Sequence, residues 1–228
     1  MFPLSDTHRL KGFPFVTIGL IALNVFIFIE QLTSDYPNAL ISQFALIPKN
    51  VSFFNISTLT PFVTSIFLHG GFLHIAANMW FLWIFGDNIE LEIGRIRYLL
   101  LFIFAGIFGN VMQYLFLSAS PIPMIGASGA VSGILGAYAV IFPRNKIKTL
   151  LPLLFIFTVV QVPALFYTVY WFVIQLFSGI FSLPFAFQTG GVAFWAHIGG
   201  FLTGVWFVRK FPYIKSSNTE IIEGEIVE

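Results

Sequence analysis

The sequence predicts an all-α fold: a polytopic membrane protein built as a bundle of six transmembrane helices. Composition is the first observation behind this reading. Of 228 residues, 57% are hydrophobic, 18% aromatic and 9% charged, and 30 are phenylalanine, far from the usage of a soluble domain. Apolar runs long enough for a bilayer crossing of about 20 residues also recur along the chain. Finally, the basic residues fall on alternate connections between those runs, as they do where short loops face one side of a membrane.

The spans are expected in the apolar runs 13–29, 66–85, 98–117, 124–142, a part of 150–183, and 192–208. The fifth run is too long for one crossing. As a continuous helix it would extend roughly 51 Å at 1.5 Å per residue, against a hydrocarbon core of about 30 Å. Gln161 and Pro163 interrupt it, so the span is expected after them, with 149–162 at the interface or within protein. On this count ten of the eleven basic residues share one side, leaving Lys49 alone on the other. Both termini are then expected in the cytoplasm. The organisation expected is a cytoplasmic N-terminal segment 1–12, a six-helix domain 13–210, and a flexible acidic cytoplasmic tail 211–228. The first run has no cleavage signal before or after it and reads as a retained span.

Composition also excludes function classes. There is no cysteine, hence no disulfide framework, thiolate zinc site or cysteine nucleophile. The net charge of +1 implies no nucleic-acid partner. No metal or cofactor is expected. Acidic residues are absent from the interiors of the expected spans, and no repeated halves are visible, which argues against a proton relay, channel or transporter.

Polar residues inside the apolar runs are the functional candidates, because ionisable groups are costly in lipid. His69, His74 and Asn78 stand in HGGFLHIAANMW of the second run, Ser128 and Ser132 in IGASGAVSGILGAY of the fourth, and His197 in WAHIGGFLTG of the sixth. Small residues spaced four apart around Ser128 and His197 also suit close helix packing. Counted from the cytoplasmic ends, Ser128, His197, His74 and Asn78 lie roughly 22, 18, 20 and 14 Å deep. They share one layer, about 10 Å below the outer surface.

That layer can support acyl chemistry. A serine hydroxyl becomes a nucleophile when an adjacent base takes its proton, and histidine suits the exchange near neutrality. Ser128 and His197 fit those roles. Pro121 and Pro123 place Ser128 near a helix N-terminus, where free N–H groups favour developing negative charge. His74 and Asn78, one turn apart on one helix face, can donate to the oxyanion. No acid is placed to orient His197, so the pair is expected as a dyad. Gln113, Asn110 and Ser132 are expected to serve packing and interhelical bonding.

Four motifs in this order and spacing, HGGFLHIAAN, GDNIELEIG with RIRY after it, GASGA and AHIGGFLTG, make the chain resemble the rhomboid intramembrane serine proteases. The resemblance covers nearly everything from Phe13 to Arg209. It implies cleavage of the transmembrane segments of single-span proteins within the lipid bilayer, near the outer face. By matching position it implies Ser128 as nucleophile, His197 as base, and His74, Asn78 and the Ser128 backbone N–H as oxyanion donors. Gly126 and Gly129 match the glycines flanking the nucleophile, and Glu90 and Gly94 match structural positions after the second helix. Some members carry an aromatic residue four positions after the nucleophile, stacked on the histidine, where this chain has Ser132. Without a seventh span the chain is expected to fit a prokaryotic cell membrane better than an organellar one. The alternative carried with this reading is a non-catalytic relative that binds membrane proteins for quality control.

Overall fold

The fold is a helical bundle with a small sheet at one end. The computed structural model describes residues 1–7, 10–153, 156–185 and 191–211. Arg9, Lys215 and the tail expected from 211 onward, apart from Phe211 itself, lie outside the described residues. In chain order the elements are β1 (Phe2–Asp6), α1 (Phe15–Thr33), α2 (Pro37–Phe44), α3 (Pro61–Thr64), α4 (Phe72–Ile93), α5 (Arg95–Leu117), α6 (Ser128–Ile141), β2 (Lys146–Leu153), β3 (Ile156–Pro163), α7 (Ala164–Ser182) and α8 (Phe194–Lys210), with short 3₁₀ turns between some of them.

Six of these helices, α1 and α4 to α8, answer to the six expected spans. By length and composition α1, α5 and α7 are each long and apolar enough to cross a bilayer alone, α4 is so only when counted with Ile56–Phe67, from which it is bent by 76°, and α6 and α8 are shorter than such a crossing. The bend follows from Gly70 and Gly71, which break the helix before Phe72. His69, expected inside the second span, therefore stands in this bend. Large apolar side chains such as Phe26, Phe166, Phe177 and Phe181 cover the outward faces of α1 and α7, as lipid contact requires.

The charged run after the second span is not a loop. Residues of GDNIELEI continue α4 to Ile93, and Glu90, with 1% of its surface exposed, is buried against α1. Its carboxyl group accepts the Val16 N–H at 2.9 Å, the Thr17 N–H at 2.7 Å and the Thr17 hydroxyl at 2.9 Å. It thus caps the N-terminus of α1 from another helix, satisfying donors that no intrahelical carbonyl reaches. Gly94 then turns the chain from α4 directly into α5 with φ +85°, a left-handed conformation that side-chain-bearing residues disfavour.

At the centre, α5, α6 and α8 pack against one another. Within lipid there is little hydrophobic drive between helices, so close backbone approach supplies the dispersion contacts. The glycines permit it. A methyl group built on Gly200 or Gly204 would collide with the carbonyl of Gly129 or Gly133 on α6, and one on Gly109 of α5 would lie 2.6 Å from the Ala196 carbonyl of α8. Around this seam Phe85, Tyr98, Phe102 and Tyr138 form a fully buried core.

Added to the expected helical bundle is a three-stranded antiparallel sheet in the order β1-β2-β3. The 149–162 segment, expected at an interface or within protein, is most of its β2–β3 hairpin, in which Lys146 pairs with Pro163 and Leu153 with Ile156. A polar knot ties the sheet to the bundle. Asp6 accepts from Asn88 Nδ2 at 2.8 Å and from the Tyr138 hydroxyl, and Trp80 Nε1 donates to the Pro3 carbonyl at 2.7 Å. The span expected after Pro163 begins at Ala164.

Candidate active site

Ser128 is the first residue of α6. The connection 118–127 preceding it is not helical; Met124 pairs with Leu46 through reciprocal backbone bonds of 2.7 and 3.1 Å, and the Gly126 N–H donates to the Ser65 carbonyl at 2.9 Å. Irregular backbone at membrane depth is tolerated where it is buried in protein or lines a cavity. Both hold here. The segment borders a cavity of about 1270 Å³, onto which His74, Asn78, Ser128, Ser132, Trp171 and His197 open. As the first helical residue, Ser128 carries a backbone N–H with no intrahelical acceptor.

The His74 ring is held in one sense. Its Nδ1 accepts the Gly70 backbone N–H at 3.3 Å, and a nitrogen that accepts cannot itself carry the proton, so the proton resides on Nε2. Nε2 faces Gly126: a methyl group built there would come within 2.7 Å of it. Gly126 has φ +127°, so conformation and space both call for glycine two residues before Ser128. Asn78 Nδ2 donates one hydrogen to the His74 carbonyl at 3.1 Å and has a second to offer. It lies on the same side of Gly126, 3.8 Å from the built methyl position.

His197 lies in the first turns of α8, with 9% of its surface exposed. Gln113 of α5 accepts the N–H of the preceding Ala196 at 3.1 Å, an interhelical bond of the kind expected for it. Asn110 likewise bridges to the Phe62 carbonyl at 2.9 Å and the Ser65 hydroxyl at 3.0 Å. The His197 Nδ1 stands 2.8 Å from Gln175 Oε1 of α7. Trp171, one turn earlier on α7, tilts against the imidazole with ring centroids 5.8 Å apart. Ser132 donates to the Ser128 carbonyl at 2.6 Å, and Gly129 meets the α8 backbone.

Of the six residues singled out as site positions, Ser128, His197, His74 and Asn78 line this cavity, Gly126 lies against His74, and Gly129 faces α5 and α8. His69 does not join them through a hydrogen bond. Its backbone N–H and carbonyl pair with the Gln31 side chain at 3.0 and 3.2 Å, while its ring is buried edge-on to His74, centroids 5.3 Å apart. Trp171 and Gln175 are the residues that the sequence reading missed. A lone amide, Gln175, in the span after Pro163 was the available signal. Tyr138 bonds Asp6 outside the cavity, while Trp195 lines the cavity with its ring stacked on Phe116. Among the described residues no cluster of three or more metal-ligating side chains occurs.

A helical bundle with a cavity at the start of a buried helix is thus the architecture these residues build, and the comparisons say to which family it belongs. The Rhomboid domain model matches residues 57–213, so the chain belongs to the rhomboid family. It is similar to the human Presenilin-associated rhomboid-like protein, mitochondrial, at 27% identity over 210 residues, covering 90% of this chain and 49% of that protein. It is also similar to Rhomboid protease GluP of Bacillus subtilis (strain 168), at 40% over 84 residues, 37% of this chain and 16% of that one. RHOMBOID-like protein 6, mitochondrial, of Arabidopsis thaliana is 33% identical over 142 residues, 62% of this chain and 40% of that one. The chain spans about half the length of the presenilin-associated relatives it matches. Relatives named for mitochondria stand beside a bacterial one, so the expected prokaryotic cell membrane gains no support over an organellar one.

Proposed function

We propose that the chain is an intramembrane serine endopeptidase that cleaves transmembrane segments of single-span membrane proteins through Ser128 and His197, near the outer face, with both termini on the basic, inner side. The observation carrying this is the convergence of Ser128, His197, His74 and Asn78, from three helices, on one cavity.

The chemistry follows from the atoms present. His197 Nε2 removes the Ser128 hydroxyl proton as Oγ attacks the scissile carbonyl. Negative charge then develops on the carbonyl oxygen. His74 Nε2–H, the free Asn78 amide hydrogen and the Ser128 backbone N–H are the donors to it, preorganised by Gly70, the α4 backbone and the helix start. The protonated His197 gives its proton to the leaving amine, and a cavity water repeats the sequence to release the acyl group. Gly126 and Gly129, flanking the nucleophile, let His74 and α8 approach it.

The test is the full chain reconstituted in lipid with a panel of single-span substrates, wild type against Ser128→Ala, with product masses locating the cut. Cleavage by wild type and none by the variant is expected. Equal cleavage by both would remove Ser128 from the mechanism, and substrate retention without cleavage by wild type would favour a binding role.

A further inference from the structure

The family reading leaves His197 without an acid or the aromatic partner that Ser132 replaces, and α7 supplies both functions in another form. Gln175 is buried, with 8% of its surface exposed, and is not among the residues lining the cavity, whereas His197 and Trp171 are. It stands behind the ring, Oε1 at 2.8 Å from Nδ1, with Trp171 one helical turn earlier packed on the imidazole. A buried amide oxygen facing a ring nitrogen is satisfied when that nitrogen carries a hydrogen.

We propose that Gln175 is a positioning residue for His197, holding the ring as the Nδ1–H tautomer so that bare Nε2 faces the cavity, with Trp171 fixing the plane of the ring. This rests on the protease reading for its purpose, though the ring geometry stands on its own. An amide does here what a carboxylate does in a triad, orienting the base and selecting its tautomer, without placing a charge in the bundle interior. Gln175 does not touch the reacting atoms. Its effect is transmitted through the imidazole.

The experiment uses the full chain in lipid nanodiscs with ¹⁵N-labelled histidine. The chain has four histidines, and His197→Gln identifies the His197 signals by subtraction. At neutral pH, wild type is expected to show His197 with Nδ1 protonated and Nε2 bare. Gln175→Met, similar in length but without an acceptor, is expected to lose that preference, and Gln175→Glu to keep it. In parallel, fluorophosphonate labelling of Ser128 is expected to slow about 10²-fold in Gln175→Met and to stay within about threefold of wild type in Gln175→Glu; a wrong tautomer in an acid triad costs roughly 10⁴. Gln175→Leu serves where Gln175→Met fails to fold, as judged by thermal unfolding. A wild-type His197 protonated on Nε2, or a folded Gln175→Met or Gln175→Leu with unchanged tautomer and labelling, overturns the proposal. Wild type that shows the Gln175-dependent tautomer but never labels at Ser128 sinks the protease reading and leaves the positioning role standing.

Discussion

Gly70 donates its backbone N–H to Nδ1 of His74 at 3.3 Å, and that single bond decides which nitrogen of the ring carries the proton. With Nδ1 engaged and Nε2 against Gly126, the proposed mechanism assigns His74 the part of a donor and not of a second base. His74→Ala in the full chain is therefore expected to lower the rate of substrate cleavage about 10²- to 10³-fold, the usual cost of one oxyanion donor. Because catalysis depends on differences between ground and transition states, the loss should fall on kcat more than on KM. Initial rates over a range of substrate concentrations in lipid check it. A fall in apparent affinity alone would place His74 in substrate binding.

Glu90 makes a prediction about stability and none about chemistry. It accepts three hydrogen bonds from the first turn of α1 and does not line the cavity. Glu90→Ala leaves those donors buried and unpartnered, at a cost of about 2 kcal/mol, the scale of a lost cap or of a buried donor left unsatisfied. Thermal unfolding in detergent should show the drop, while fluorophosphonate labelling of the protein that remains folded proceeds at the wild-type rate. Unchanged unfolding would show that α1 does not need the cap.

The orientation can be read directly, because the chain contains no cysteine and any introduced thiol is unique. Asn50→Cys, in the connection between α1 and α4, and Arg144→Cys, after α6, are both on exposed positions. In sealed, inside-in vesicles a membrane-impermeant maleimide is expected to modify the first and spare the second. The opposite pattern would invert the proposed topology.

The sequence disclosed the candidate site more fully than its supports. Ser128, His197, His74 and Asn78 stood out because each is polar in an apolar run and helix rise converts position into depth. Gln175 was hidden because its partner lies 22 residues away, a relation that spacing alone does not reveal. The charged stretch around Glu90 reads as a loop when lipid is taken as the only surroundings. Its polar groups find partners inside the protein, Glu90 on α1 and Asn88 on Asp6 and the Leu10 N–H. The β2–β3 hairpin was hidden by its own apolarity: Gln161 and Pro163 set 149–162 apart from the span, but its residues lack the strict alternation that marks a half-buried strand. His69, which the sequence leaves open between a loop residue and a cavity lining, stands in the bend, since two glycines stop the helix short of it.

The seam between α6 and α8 fixes a length as well as a fold. Helices packed through leucine or phenylalanine can change their separation when a side chain changes rotamer, but Gly200 and Gly204 rest directly on the carbonyls of Gly129 and Gly133. Main-chain atoms have no such alternatives. The spacing between the helix that begins with Ser128 and the one that carries His197 is a ruler without moving parts, unaffected by the side-chain motions of the greasy matrix around it.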